Sequence, residues 1–311
     1  MVKKLELKRG RKNTHDPIAL AEALCRASRP SSALYATISL HPMNQIDRHR
    51  LTNFDAVLFD MDGVITETAV LHAAAWKRLF DEYLKKLAAR AQSGYEPFDL
   101  ARDYRVYVDG KSRYDGVKDF LKSRSFTLPS GSPDDGPDRE TIYGLGNKKD
   151  EYFDVCFRET GVVVYPGTLR YLHAARAAGL KTAVVSSSHH CREIIQSAGL
   201  TPLFETRIDG HEIDRLHLRG KPAPDTFLEA ARRLDIVPAK AIVIEDALAG
   251  VQAGRAGGFG LVIGVNRENQ AEALRQQGAD IVVADLAEML SPDPETEPFP
   301  APPQRTERRS R

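Results

Sequence analysis

The chain has 311 residues, 42% of them hydrophobic, with a formal net charge of +1. That length suffices for a core domain and a smaller companion, and so even a charge balance argues against nucleic acid as a partner. Cys25, Cys156 and Cys191 lack paired spacing, no apolar run is long enough to span a bilayer, and no apolar signal core stands at the front. A reducing, cytoplasmic setting is therefore expected, with no membrane and no disulfide framework.

Residues 1–52 hold ten Lys or Arg against four Asp or Glu, a surplus of six, without interleaved aromatics. A poorly ordered basic extension is expected there, rather than a nucleic-acid arm. The stretch from Phe54 to Thr68, FDAVLFDMDGVITET, then carries the strongest signal. A short apolar run predicts a strand buried on both faces, and it ends in Asp60, Asp62 and Gly63. Ligands of open α/β sheets sit beyond the carboxyl ends of such strands. Alternate side chains leaving an extended segment point the same way, so two acids one residue apart can take two roles, one as nucleophile and the other as proton carrier. A solvated Asp-Gly turn is the ordinary alternative.

After Thr68 comes LHAAAWKRLFDEYLKKL, whose Leu71, Ala75, Leu79, Tyr83 and Leu87 recur at helical spacing. At that spacing Trp76 reads as a packing residue, and His72 as either a polar-face residue or one near a ligand. A loop leads to Tyr107–Val117, then to a helix-like VKDFLKSR, a polar loop SGSPDDGPDRE and a last helix, YGLGNKKDEYFDVCF. From Tyr165 onward helices and strands alternate. Strands are expected near Lys181–Ser186, Phe204–Ile208, up to Asp246, Leu261–Val265 and Ile281–Ala284. Helices are expected near Gly167–Ala178, up to Ala198, Pro224–Leu234, up to Ala256 and Glu268–Gln277. Such alternation implies right-handed crossovers and a doubly wound, Rossmann-like parallel sheet.

Three strand ends in this half carry chemistry. TAVVSSS ends in Ser186, Ser187 and Ser188, ahead of His189 and His190, and hydroxyls with amides at a helix start can seat an anion. Lys221 precedes Pro222 and Pro224, which suit the first turn of a helix. AIVIED ends in Glu245 and Asp246, and carboxylates on neighbouring strand ends can share magnesium, which prefers oxygen ligands. Taken singly, Lys221 could be a surface lysine, Ser186 a helix cap, and Glu245 with Asp246 an acidic first turn. Adjacent His189 and His190 are poorly placed to converge on one ion, so a histidine metal pair is not expected. The end of the chain, from Ser291, contains six prolines and no helical or strand period, and is expected to stay a solvated, disordered tail.

Together the four motifs, Asp-x-Asp-Gly, Ser, Lys and Glu-Asp in that order, resemble the haloacid dehalogenase-like superfamily. The DGVIT run, the following His and Trp, and the Gly-x-Ser-Arg-x-Asp pattern from Gly110 to Asp115 narrow this to the β-phosphoglucomutase-like family. The resemblance implies an α/β core of residues 53–66 and 162–290, with an all-α cap, residues 67–161, inserted after the first strand. Asp60 would be the nucleophile and Asp62 the general acid/base; Asp60, Asp62, Glu245 and Asp246 would form the Mg²⁺ site. Ser186, Ser187 and Lys221 would hold the transferring phosphoryl. Thr68, His72, Gly110, Arg113, Lys149, Ser188 and His190 would meet substrate, with the register of Lys148 against Lys149 open. The implied reaction takes β-D-glucose 1-phosphate to glucose 6-phosphate through an aspartyl-phosphate and glucose 1,6-bisphosphate. A phosphatase of small sugar phosphates or phosphoglycolate, and a non-catalytic sugar-phosphate sensor, are the alternatives. A link to a disaccharide phosphorylase making the substrate would fit the first reading.

The chain departs from the family pattern in places. His189 and His190 stand where relatives carry lysine and asparagine, Glu67 replaces aspartate, and Gly116 replaces serine. The two histidines bear on the distal phosphate contacts, Glu67 is a milder change, and Gly116 removes one possible hydroxyl contact.

Overall fold

The structure is a computed structural model that describes residues 53–290. The basic extension and the Pro-rich tail lie outside the described residues. Six parallel strands form one sheet: β1 (Ala56–Phe59), β2 (Lys181–Val185), β3 (Thr206–Ile208), β4 (Ala241–Glu245), β5 (Leu261–Val265) and β6 (Ile281–Val283), in the order β3-β2-β1-β4-β5-β6. β1 is wholly buried and flanked in register on both sides, Ala56 facing Lys181 on β2 and Ala241 on β4. Its alternate residues feed opposite faces of the sheet: Ala56 and Leu58 join one apolar cluster, Val57 and Phe59 another. Full burial of each large side chain contributes about 1.5–3 kcal/mol, which is why such a strand reads as unbroken apolar sequence. The chain winds outward from β1 to β3, then returns to β4 and winds the other way. The direction of winding therefore reverses beside β1, and a crevice opens at the strand ends there.

Between β1 and β2 lie four helices. α1 (Ala69–Ala91), α2 (Arg113–Ser123) and α3 (Ile142–Thr160) form the insertion, and α4 (Pro166–Ala177) begins the return to the sheet. α1 buries Leu71, Ala75, Trp76, Leu79, Phe80, Tyr83 and Leu84, a stripe at helical spacing that faces α3. Ser112 caps α2 by accepting from the Asp115 N–H, and Thr141 caps α3 by accepting from the Gly144 N–H. Phe80, Phe98 and Phe120 fill the space between the helices, with Phe80 and Phe120 ring centroids 4.0 Å apart. Gly116, in place of a serine, faces this packing: a Cβ there would lie 3.0 Å from the Trp76 ring.

α5 (Cys191–Ser197), α7 (Asp225–Leu234) and α8 (Leu248–Ala256) fall where the sequence reading put helices, and α9 (Ala271–Gln276) is shorter than expected. Its start is set back because Asn266 Oδ1 accepts the Gln270 N–H, 2.6 Å away, and holds the preceding loop. Besides three short 3₁₀ turns, two elements among the described residues were not foreseen. α6 (Gly210–Leu216) is nucleated by Asp209, which accepts from the Glu212 N–H, and Tyr104–Val108 form a π-helical turn. Among the described residues no helix is long and apolar enough to cross a membrane.

Candidate active site

Asp60 follows β1 directly, and its N–H still donates to the Ile244 carbonyl of β4 at 2.9 Å. Its side chain is buried and pairs with the ammonium of Lys221, which also lies 2.6 Å from Glu245 Oε1. Burial raises the Asp60 carboxyl well above the usual range; Glu245 and Asp62 add to this and Lys221 opposes it. Burial works against the Lys221 charge, but Asp60 and Glu245 outweigh it and hold the ammonium above its ordinary value.

Carboxylate oxygens of Asp60, Glu245 and Asp246 lie within 4.8 Å of one another, all three residues buried. Asp246 is likewise raised by burial, then by Asp109, Glu245 and Asp60. Two features hold this acidic set in place. Glu245 Oε2 accepts the N–H groups of Asp246 and Ala247, each at 3.0 Å, ahead of α8. Gly63, at φ +85, leaves room for Asp246, since a Cβ there would come within 1.8 Å of its Oδ2. An all-oxygen, anionic, buried donor set fits a hard divalent cation such as magnesium.

Asp62 is wired differently. Thr68 Oγ1 donates to its Oδ1, Ser186 Oγ donates to its Oδ2 at 3.1 Å, and His72 Nε2 lies 3.3 Å from Oδ1. Burial alone would raise its carboxyl, but His72, Thr68 and Ser186 together hold it down to about 2. On the far side of the imidazole, Lys149 Nζ lies 2.6 Å from His72 Nδ1. Burial, with Lys149 next, lowers the His72 pKa, and burial pushes the Lys149 ammonium down to about 8. A neutral imidazole accepting from Lys149 at Nδ1 carries its proton on Nε2, toward Asp62. The His72 ring stacks on Phe153, with centroids 4.1 Å apart.

The structure separates residues that the sequence left ambiguous. Lys149 faces the cleft while Lys148 turns outward to Glu151. His189 lines the cleft and pairs with Asp214 at 2.9 Å; His190 stands behind it, 3.2 Å from Asp150 Oδ1. Ser187 Oγ donates to the Gly110 carbonyl at 2.9 Å, joining β2's end to the insertion, while Ser188 N–H donates to Ser186 Oγ. Arg113 borders the cleft but is held from within: Nη1 donates to Asp150, and Nη2 donates to Tyr114 Oη and Asn147 Oδ1. Its buried Nε has no hydrogen-bond partner among the described residues.

Several lining residues escaped the sequence reading, among them Tyr104, Asp109, Lys111 and Asp150; Trp76, read as packing, is buried and also forms cleft wall. Arg267 supports the site from outside by donating from Nε to the Gly63 carbonyl at 2.8 Å, its guanidinium 3.6 Å from the centre of the Tyr165 ring. Burial, Glu268 and Glu245 push the Asp109 carboxyl up to about 8. Asp109 precedes Gly110 in the quoted motif, and nothing in residue type alone distinguished it from a loop acid.

The chain is similar to known proteins over most of its described residues. The haloacid dehalogenase-like hydrolase family model matches residues 54–258. A β-phosphoglucomutase of Mycobacterium tuberculosis (strain CDC 1551 / Oshkosh) is 52% identical over 238 residues, 76% of this chain and 91% of its own. The crystal structure of a β-phosphoglucomutase from Clostridium difficile shares the fold, with a TM-score of 0.58 at 24% identity over 76% of this chain and 92% of that one. A haloacid dehalogenase family hydrolase from Deinococcus radiodurans R1, solved with bound phosphate and sodium, is 32% identical with a TM-score of 0.52, covering 78% and 99%.

Proposed function

Because this chain belongs to the haloacid dehalogenase-like hydrolase family as a β-phosphoglucomutase-like member, we propose that it is a magnesium-dependent phosphosugar mutase. In this reading it converts β-D-glucose 1-phosphate to glucose 6-phosphate in the cytoplasm, through an aspartyl-phosphate at Asp60 and glucose 1,6-bisphosphate. A disaccharide phosphorylase would be a fitting source of substrate. Residues 67–161 serve as the mobile cap.

The observation that carries the mutase reading is the wiring of Asp62. Three of the groups that set its state, Thr68, His72 and, through His72, Lys149, lie at the start of α1 or on α3. The proton carrier is therefore assembled by the cap, and is complete when the cap has closed over the sugar and excluded water. A hydrolase would need that acid ready while water is present.

In the first half-reaction a carboxylate oxygen of Asp60 attacks the phosphorus of the bisphosphate, and the bond from phosphorus to the sugar oxygen breaks. Asp62, ionised at rest, gives that leaving oxygen the proton it took from the acceptor hydroxyl in the preceding return step of the cycle. In the return step Asp62 takes the proton of the acceptor hydroxyl as it attacks the phosphoryl on Asp60, so one side chain serves as acid and then base. Lys221, Ser186 and Ser187 balance the charge of the transferring oxygens. Held by Asp60, Glu245 and Asp246 with the Asp62 carbonyl, magnesium would supply further neutralisation of those oxygens. The unpartnered Arg113 Nε offers the second phosphate a donor, beside Lys149, Ser188 and the Gly110 segment; His190 would contribute through Asp150.

Purified protein with magnesium, β-glucose 1-phosphate and a trace of glucose 1,6-bisphosphate should yield glucose 6-phosphate with little free phosphate. Free phosphate as the dominant product would favour the sugar-phosphate or phosphoglycolate phosphatase. Binding without turnover would favour the sensor.

A further inference from the structure

Two acids of the cap line the cleft, and their surroundings differ. Asp150 lies between Arg113 and His190. Asp109, at the end of the π-helical turn, lines the same cleft as Asp60 and Asp246; Glu268, Glu245 and Asp246 act on it with the same sign, opposed by Lys221 and the Tyr104 hydroxyl. Its own N–H is engaged by the Tyr104 carbonyl at 3.0 Å, so the main chain fixes where it stands.

The next residue is where cap and core meet. Gly110, at φ +71, comes so near the core that a Cβ would lie 2.9 Å from the Ala247 Cβ, and its carbonyl receives the Ser187 hydroxyl. Ala247 follows Asp246. Docking of this segment therefore sets Asp109 in the lining of the same cleft as Asp60, Asp246 and Ala247. Like charges brought together away from water repel strongly, and a divalent cation between them reverses the sign of the interaction.

We propose that Asp109 is a positioning residue through which a divalent cation held by the core acids draws the cap onto the core. This rests on reading Asp60, Glu245 and Asp246 as the magnesium site. Cation binding and cap closure are then linked in both directions: each favours the other, and substrate is enclosed when the metal is in place.

Trp76 is the one tryptophan of the chain; it lies on α1 in the cleft wall, with Lys149 Nζ 5.5 Å from its ring, so its emission reports the cap. The test titrates the substrate-free full chain with magnesium. It follows Trp76 emission, the radius of gyration by small-angle X-ray scattering, and metal binding by calorimetry. In the wild type, compaction and the emission change should develop together with binding. Asp109→Asn and Asp109→Ala should begin near the compact end, respond to magnesium less than a third as far, and bind it several-fold more weakly. Wild-type-like responses in both variants, or magnesium binding to the wild type without compaction, would overturn the inference alone. No magnesium binding to the wild type would overturn the metal site and this inference with it.

Discussion

The two walls of the cleft are built on different principles. On the core wall, Asp60, Ser186, Glu245 and Asp246 each sit within a residue of a strand's end, so the sheet's register sets their mutual distances. On the cap wall, His72, Arg113 and Lys149 project into the cleft from three separate helices and are held by neighbouring side chains, Lys149 by His72 and Arg113 by Asp150. A rigid frame holds the charges that must not move, while the wall that opens in the proposed cycle holds groups acting through hydrogen bonds that can be remade. Substitutions on the core wall should therefore abolish a step or the fold, and those on the cap wall should shift binding and partitioning.

The largest effect is expected at the nucleophile. Asp60→Asn should lower kcat by roughly 10⁴-fold or more, the scale at which loss of a covalent nucleophile is felt. Retention of a tenth of the activity would place the covalent step elsewhere. Next is Lys221→Met, which leaves Asp60 and Glu245 buried without their cation. Breaking such a pair should cost about 3–5 kcal/mol in urea unfolding without metal. Magnesium should restore part of the loss, because it returns positive charge to the same carboxylates. A variant as stable as the wild type would mean that the ammonium is not what balances these acids.

On the cap wall the effects should be smaller and graded. Lys149 has its pKa lowered to about 8, so it loses its charge as pH rises through that value. If the charge holds a phosphosugar, KM should rise by about tenfold between pH 7 and 9, following the shrinking ammonium fraction. Lys149→Met should start from a higher KM and show no such alkaline limb; a limb of equal size in the variant would assign it to another group. Ser187→Ala removes one hydrogen bond between core and cap, of order 1 kcal/mol. Its expected signature is a modest rise in free phosphate relative to isomerised sugar, measured side by side, and an unchanged ratio would mean that this bond does not help keep water out.

The same contrast explains what could be read from the sequence. The core wall was legible because a buried strand is an unbroken apolar run and its functional residues follow immediately; Asp60, Ser186, Glu245 and Asp246 needed no spacing beyond the next position. Lys221 comes from a loop, yet its Pro-flanked motif marked it. The cap wall depends on helical phase, where one residue changes the direction of a side chain by about 100°. Lys148 and Lys149 were therefore indistinguishable in the sequence, and nothing there showed that His189, beside the expected His190, is the one that lines the cleft. Asp109 carries no motif of its own because what it meets is distant in the chain. The seven residues of α6 were missed since so short a helix shows less than two full turns of periodicity, and Asp209 offered the main visible cue.

One small residue has reach beyond its size. Gly250, in α8, lies so close to the Glu245 carboxylate that a methyl group there would stand 1.7 Å from Oε1. A single hydrogen atom thus sets how far the anionic pocket can recede into the protein. Enlarging it would push the carboxylate outward and crowd the Lys221 ammonium and the proposed metal seat, so catalysis could be silenced from a glycine behind the acidic set.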